Sequence, residues 1–177
     1  MHIARSIVLS HTLLFKVVLG VLGIFAGAQI TINASPVPIT LQTLVVLVIG
    51  LSYNSRESVL TLLSYIGCGA VGMPVFYSDR CGISVLTGQS AGYLLGMVIA
   101  VYLMGSLREK YDIRSYIGIC GVCLVGQLSI FTMGVSWLAY MIGFEQAIIH
   151  GFLVFIPSGL VKILLLTLIM RYIRSSN

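Results

Sequence analysis

The chain has 177 residues, of which 58% are hydrophobic and 8% charged, and its mean hydropathy is +1.06. Soluble domains carry about 25% charged residues, so this composition excludes a soluble protein and implies a single membrane domain built from apolar spans of roughly 20 residues each. The net charge of +5 is explained by membrane topology and calls for no nucleic acid.

Residues Met1 to Ser10 are weakly basic and run into a long apolar segment. Further apolar segments follow and no clear small-residue cleavage site intervenes, so the first segment reads as a retained helix over about 12–30. Within it Gly20, Gly23 and Gly27 include a small-x-x-x-small pair at 23 and 27, a spacing that lets helices approach closely and suggests a docking face for another membrane subunit. The link from Thr31 to Pro38 carries Asn33, Ser35, Pro36 and Pro38 and reads as a loop, because proline disfavours helix for itself and for the residue before it. Two short helices follow, 39–53 and 57–72, joined by a polar link from Ser52 to Glu57. A longer loop, Met73 to Ile83, holds Pro74, Asp79, Arg80 and Gly82. Longer helices over 84–106, 115–139 and 145–172 complete the expectation: an all-α polytopic membrane protein with six transmembrane helices in one bundle.

Orientation follows from the basic residues, which accumulate on the cytoplasmic side. Of ten Lys and Arg, eight (Arg5, Lys16, Arg56, Arg108, Lys110, Arg114, Arg171 and Arg174) fall at the two termini and the second and fourth links, and only Arg80 falls on the other side. Both termini are therefore expected in the cytoplasm of a cell whose inner membrane holds the protein. The links around 31–38, 73–83 and 139–145 are expected outside.

The tenth basic residue, Lys162, lies inside the last apolar segment, where a lysine costs about 2.5 to 3.5 kcal/mol on insertion scales unless it snorkels or finds a partner. The C-terminal basic cluster is about ten residues away, or roughly 15 Å of helix, too far for easy snorkelling. Lys162 either reaches an internal carbonyl or water pocket for structural reasons, or faces the bundle interior to recognise an anionic or strongly polar ligand. The second reading is favoured. Upstream, Pro157, Ser158 and Gly159 interrupt the same segment, and a break at membrane depth is tolerated where the freed backbone lines a cavity. Thr40 and Gln42, with Gln127, Ser129, Thr132 and Ser136, supply neutral hydrogen-bonding groups that serve either as interhelical glue or as ligand contacts. Trp137 and Tyr140 read as interfacial anchors, or Trp137 as the wall of an outward-facing pocket.

Other chemistries fit less well. Gly88-Gln89-Ser90-Ala91-Gly92 matches G-x-S-x-G, which would make the chain an intramembrane hydrolase with Ser90 as nucleophile and His150 as base, but that motif needs a strand-to-helix elbow and here lies in an apolar helical run. Cys68, Cys81, Cys120 and Cys123 lack the ligand spacing of a metal site, and the C-x-x-C pair reads as packing. No cofactor is called for. The chain has no Gly-Lys dipeptide and so no Walker A loop for ATP.

Pro36-Val37-Pro38-Ile39-Thr40-Leu41-Gln42-Thr43-Leu44 resembles the signature of the BioY family, the biotin-binding S subunits of energy-coupling-factor transporters. Four further stretches resemble the family's motifs in order: Gly69 to Phe76, Gly88 to Met97, Gly134 to Ala139, and Phe155 to Lys162. The resemblance covers nearly the whole chain from residue 20. It implies a six-helix bundle with an outward-facing biotin pocket, capped by the first and third loops, that docks on a transmembrane T subunit driven by separate ATPase subunits. It places Gln42, Phe76, Arg80, Gly92, Tyr93, Trp137 and Lys162 in motifs or loops near that pocket. Beyond biotin and the membrane lipid, a second reading has the chain work alone as a facilitator for biotin or a related vitamin, or as a homo-oligomer. The sequence departs from the family where an Asp before the lysine is Gly159 and the preceding Gly is Ser158. Ser158 or backbone carbonyls are then expected to accept the ureido hydrogen bonds, with Lys162 freer to meet a carboxylate.

Overall fold

The computed structural model describes residues 2–32, 36–113 and 115–175, with side chains from 11 to 172 within those ranges. Met1, Asn33, Ser35 and Arg114 lie outside the described residues, as do the side chains of Arg5 and Arg174.

The first helix, α1, runs His2–Gln29. The link after it is not a plain loop: Thr31–Ile32 (β1) pairs antiparallel with Ile39–Thr40 (β2), Thr31 facing Thr40 and Ile32 facing Ile39. All four are β-branched residues, which suits a short ladder. The ladder consumes the first residues of the expected second span, so α2 is shorter, Gln42–Ser52. Helix α3 follows over Ser55–Ala70, opened by a capping box in which Asn54 accepts from the Glu57 N–H and Glu57 accepts in return from the Asn54 N–H.

Beyond Gly72, whose φ is +101°, a 3-10 turn at Tyr77–Asp79 leads to the short helix α4, Ile83–Thr87. The expected span from 84 therefore splits, and the long helix α5 begins only at Ala91 and runs to Lys110. Helix α6, Tyr116–Ile142, is capped by the Ser115 hydroxyl and ends at Gly143, whose φ of +91° reverses the chain. The expected sixth span is also divided, into α7 (Phe144–Gly151), a 3-10 turn at Leu153–Phe155, and α8 (Ile156–Ser175). The interruption thus precedes Pro157, which occupies the first turn of α8, where its missing N–H is harmless.

Among the described residues, four helical runs are long and apolar enough to cross a membrane: His11–Gln29, Ala91–Lys110, Tyr116–Ile142 and Phe144–Tyr172, the last carrying the break. Helices α2 and α3 are shorter. Glycines set the helix contacts. The expectation that Gly20, Gly23 and Gly27 present a face to a partner is corrected by packing, because a Cβ on each would meet Thr61, Val45 or the Gln42 backbone at 2.5 to 3.3 Å. That stripe is closed by α2 and α3 of the same chain. The open face of α1 is instead Leu14, Phe15, Val18, Leu19 and Leu22.

Polar contacts tie one end of the bundle. The Lys16 ammonium pairs with Glu57 at 3.0 Å, the Tyr53 hydroxyl donates to the Lys16 carbonyl, Arg108 donates to the Tyr53 carbonyl, and Glu109 accepts from the Ser55 N–H and hydroxyl. At the same end the Arg171 guanidinium lies 5.3 Å from the Tyr116 ring centroid. Glu57 has two tasks here, the cap and the ion pair. Glu57→Ala is expected to destabilise the protein by about 1 to 2 kcal/mol, most of it from the cap because the pair is part-exposed; thermal unfolding in detergent measures it.

Candidate functional site

Away from the polar end, the helices part around a cavity of about 630 Å³, measured with its open mouth. Val37 and Pro38 from the first link, Phe76 and Tyr77 from the third, and Val85 from α4 enclose one side; Tyr93, Leu94 and Met97 of α5 and Ile130 and Phe131 of α6 form apolar walls. Polar groups converge from Thr40, Gln42, Thr43, Ser90, Gln127, Ser158 and Lys162.

Each wall is locked by its neighbours. Phe76 is 2% exposed and its ring covers Gly69, so closely that a Cβ there would enter the ring. Tyr65 meets Phe76 edge to face at 5.5 Å and donates its hydroxyl to the Val75 carbonyl, while Gln29 donates to the Phe76 carbonyl at 3.1 Å. Tyr93 stacks on Phe155 at 5.8 Å, lies against Gly134, and donates its hydroxyl to the Gly151 carbonyl at 2.8 Å. Its ring is a wall, and its hydroxyl satisfies the backbone where α7 ends.

Lys162, 7% exposed, reaches from α8 to the start of α2. Its Nζ donates to the Thr40 carbonyl and to the Thr43 hydroxyl, both at 2.7 Å. An ammonium has three donors, so one remains after these two bonds. The expectation of a lysine set free by Gly159 is therefore corrected: Lys162 is a strut between α8 and α2 as well as a cation lining the cavity.

Of the seven residues expected near a pocket, Gln42, Phe76, Tyr93 and Lys162 line the cavity. The other three stand outside it. Arg80 lies in an adjoining, more polar cleft with Pro36, Cys81, Ser84 and Gln89, its guanidinium 4.9 Å from the Tyr77 ring centroid. Tyr77, Val85 and Ser90 line both spaces. Gly92 and Trp137 form the floor of a separate surface groove on the α5–α6 seam, where a Cβ on Gly92 would meet Trp137 and the Met133 carbonyl. The Trp137 indole donates to the Gly88 carbonyl at 2.9 Å, tying the turn before α5 to α6.

Thr43 and Phe131 were not singled out from sequence, although both fall on legible stripes. Thr43 stands in the first turn of α2 beside Gln42, and Phe131 follows Gln127 by four, the spacing that puts side chains on one helix face. The G-x-S-x-G stretch forms a turn between α4 and α5, with no strand before it, so the nucleophile elbow is absent there. Cys120 and Cys123 pack with Leu47, Met104 and Ile119 in a second core cluster.

These features define the class: a helical protein with membrane-length apolar helices that enclose a cavity with apolar walls and a few convergent polar groups. The BioY family model matches residues 4–177, and the chain belongs to that family. It is 41% identical over 160 residues to a Rickettsia prowazekii protein named "Probable biotin transporter BioY", covering 90% of this chain and 82% of the relative. It is 31% identical to "Biotin transporter BioY" of Thermotoga maritima, over 82% of this chain and 86% of that one. The fold also matches a crystal structure of the S-component for biotin from an ECF-type ABC transporter, with a TM-score of 0.82 at 23% identity, over 94% of this chain and 92% of the other. The family is one of transporters, and the hydrolase reading is set aside.

Proposed function

We propose that this chain captures biotin at the outer face of the bacterial inner membrane and hands it inward as the substrate-binding subunit of an energy-coupling-factor transporter. The observation that carries the reading is the cavity itself: aromatic and aliphatic walls with carboxamides and an ammonium at one side, in a member of this family. Fused rings bury well against Phe76, Tyr93 and Phe131, and a ureido group needs both donors and acceptors. Gln42 and Lys162 are the polar contacts, Phe76 and Tyr93 the walls. Arg80, in the adjoining cleft, meets the ligand carboxylate, while Gly92 and Trp137 hold α5, α6 and the Gly88 turn in place.

In the membrane, α1, α2, α3, α5, α6 and the α7–α8 run make six spans. Basic residues and the Lys16, Tyr53 and Arg108 contacts gather at the end away from the cavity, which supports cytoplasmic termini and an outward-facing site. The chain has no P-loop, so a transmembrane T subunit and ATPase subunits supply the energy.

Equilibrium binding of labelled biotin to the detergent-purified protein tests this, with riboflavin as the control. Saturable biotin binding that riboflavin does not displace is expected. A well-folded protein that binds no biotin would sink the reading.

A further inference from the structure

Two carboxamides that line the cavity each carry one atom without a partner among the described residues. Gln42, in the first turn of α2, and Gln127, midway along α6, are each 6% exposed. Nε2 of Gln42 and Oε1 of Gln127 have no hydrogen-bond partner among the described residues. Buried polar atoms are almost always bonded, and leaving one unsatisfied costs stability, so an orphan donor and an orphan acceptor at one cavity point to a ligand that answers both.

Several of the other polar groups around the cavity already have a partner within the chain. The Thr40 carbonyl and Thr43 hydroxyl take the Lys162 ammonium. The Tyr93 hydroxyl donates to Gly151, and the Ser158 hydroxyl donates to the Phe155 carbonyl at 3.1 Å. Gln127 is also the side chain that faces Gly159: a Cβ built on that glycine would stand 3.5 Å from the Gln127 Cδ and 3.6 Å from its Nε2, ordinary contact distances. A side chain at 159 would therefore lie directly against the Gln127 carboxamide, one turn before Lys162.

We propose that Gln127 accepts a hydrogen bond from the ligand's N–H while Gln42 donates to its carbonyl, so that the two carboxamides read the N–H and C=O edges of a cyclic urea. This rests on the biotin-capture reading and assigns the acceptor to α6 rather than to Ser158. It also makes positions 127 and 159 alternatives, because an acceptor placed at either would occupy the same space.

The test measures labelled biotin binding to detergent-purified wild type, Gln127→Leu and Gln127→Leu/Gly159→Asn, with biotin methylated on its ureido nitrogens as a second probe. Gln127→Leu is expected to weaken biotin about tenfold or more, the loss of one buried hydrogen bond. Gly159→Asn in that background restores much of the loss by returning an amide oxygen to the same space. Methylation weakens binding to wild type more than to Gln127→Leu, since the contact is already gone. Should leucine lower the melting temperature, Gln127→Asn withdraws the same oxygen by one methylene and replaces it in the comparison. Unchanged biotin affinity in a stably folded position-127 variant overturns the assignment and leaves biotin capture standing. Failure of the wild type to bind biotin overturns biotin capture, and the assignment with it.

Discussion

Lys162→Ala is expected to lower biotin affinity about 100-fold, some 2.7 kcal/mol. The ammonium is buried and makes two charge-assisted bonds at 2.7 Å to the start of α2, each worth about 1.5 to 3 kcal/mol. Alanine leaves the Thr40 carbonyl and Thr43 hydroxyl without that partner and removes the strut that sets Gln42 beside the cavity. It also removes the third donor. Lys162→Met separates the two contributions, since it keeps most of the stem volume and none of the hydrogen bonds. Methionine as damaging as alanine means the ammonium matters; methionine close to wild type means packing does, and the proposed contact is then wrong. Binding isotherms and melting temperatures for both variants decide it.

The second large effect is expected from a residue that does not line the cavity. Gly92→Leu should destabilise the protein by about 3 kcal/mol and abolish biotin binding, because the new side chain meets Trp137 and, at 2.6 Å from its Cβ, the carbonyl of Met133. The carbonyl belongs to helix backbone and cannot turn aside as a side chain would. Relief requires α5 and α6 to separate, and they carry Tyr93, Met97, Gln127 and Phe131, four of the cavity's lining residues. Gly92→Ala meets the same two groups with less bulk and should show a smaller loss. A Gly92→Leu protein with wild-type melting and binding would mean that the seam tolerates separation.

What could be read from residues alone was membrane class, helical content and the importance of Lys162. An 8% charged chain has no soluble alternative, and a lysine far from either interface needs a partner wherever the helices lie. The ordered motifs carried the family. Gln42, Phe76, Tyr93 and Lys162 come to one cavity because those motifs sit at the ends of the helices that surround it.

Tertiary structure alone decided the rest, because it depends on which backbone lies opposite which. A glycine stripe has the same spacing whether it meets a partner or its own chain, and Gly20, Gly23 and Gly27 meet α2 and α3. Pro157 to Gly159 signal a break in the last apolar run, but hydropathy stays high through Phe152 to Phe155, so its actual place is fixed only by the packing in which the Tyr93 hydroxyl satisfies the Gly151 carbonyl. Gln127 looked like interhelical glue, since glue and ligand contact use the same amide. The lack of a partner for its oxygen among the described residues is what favours the proposed ligand contact, and that is a property of the packed bundle.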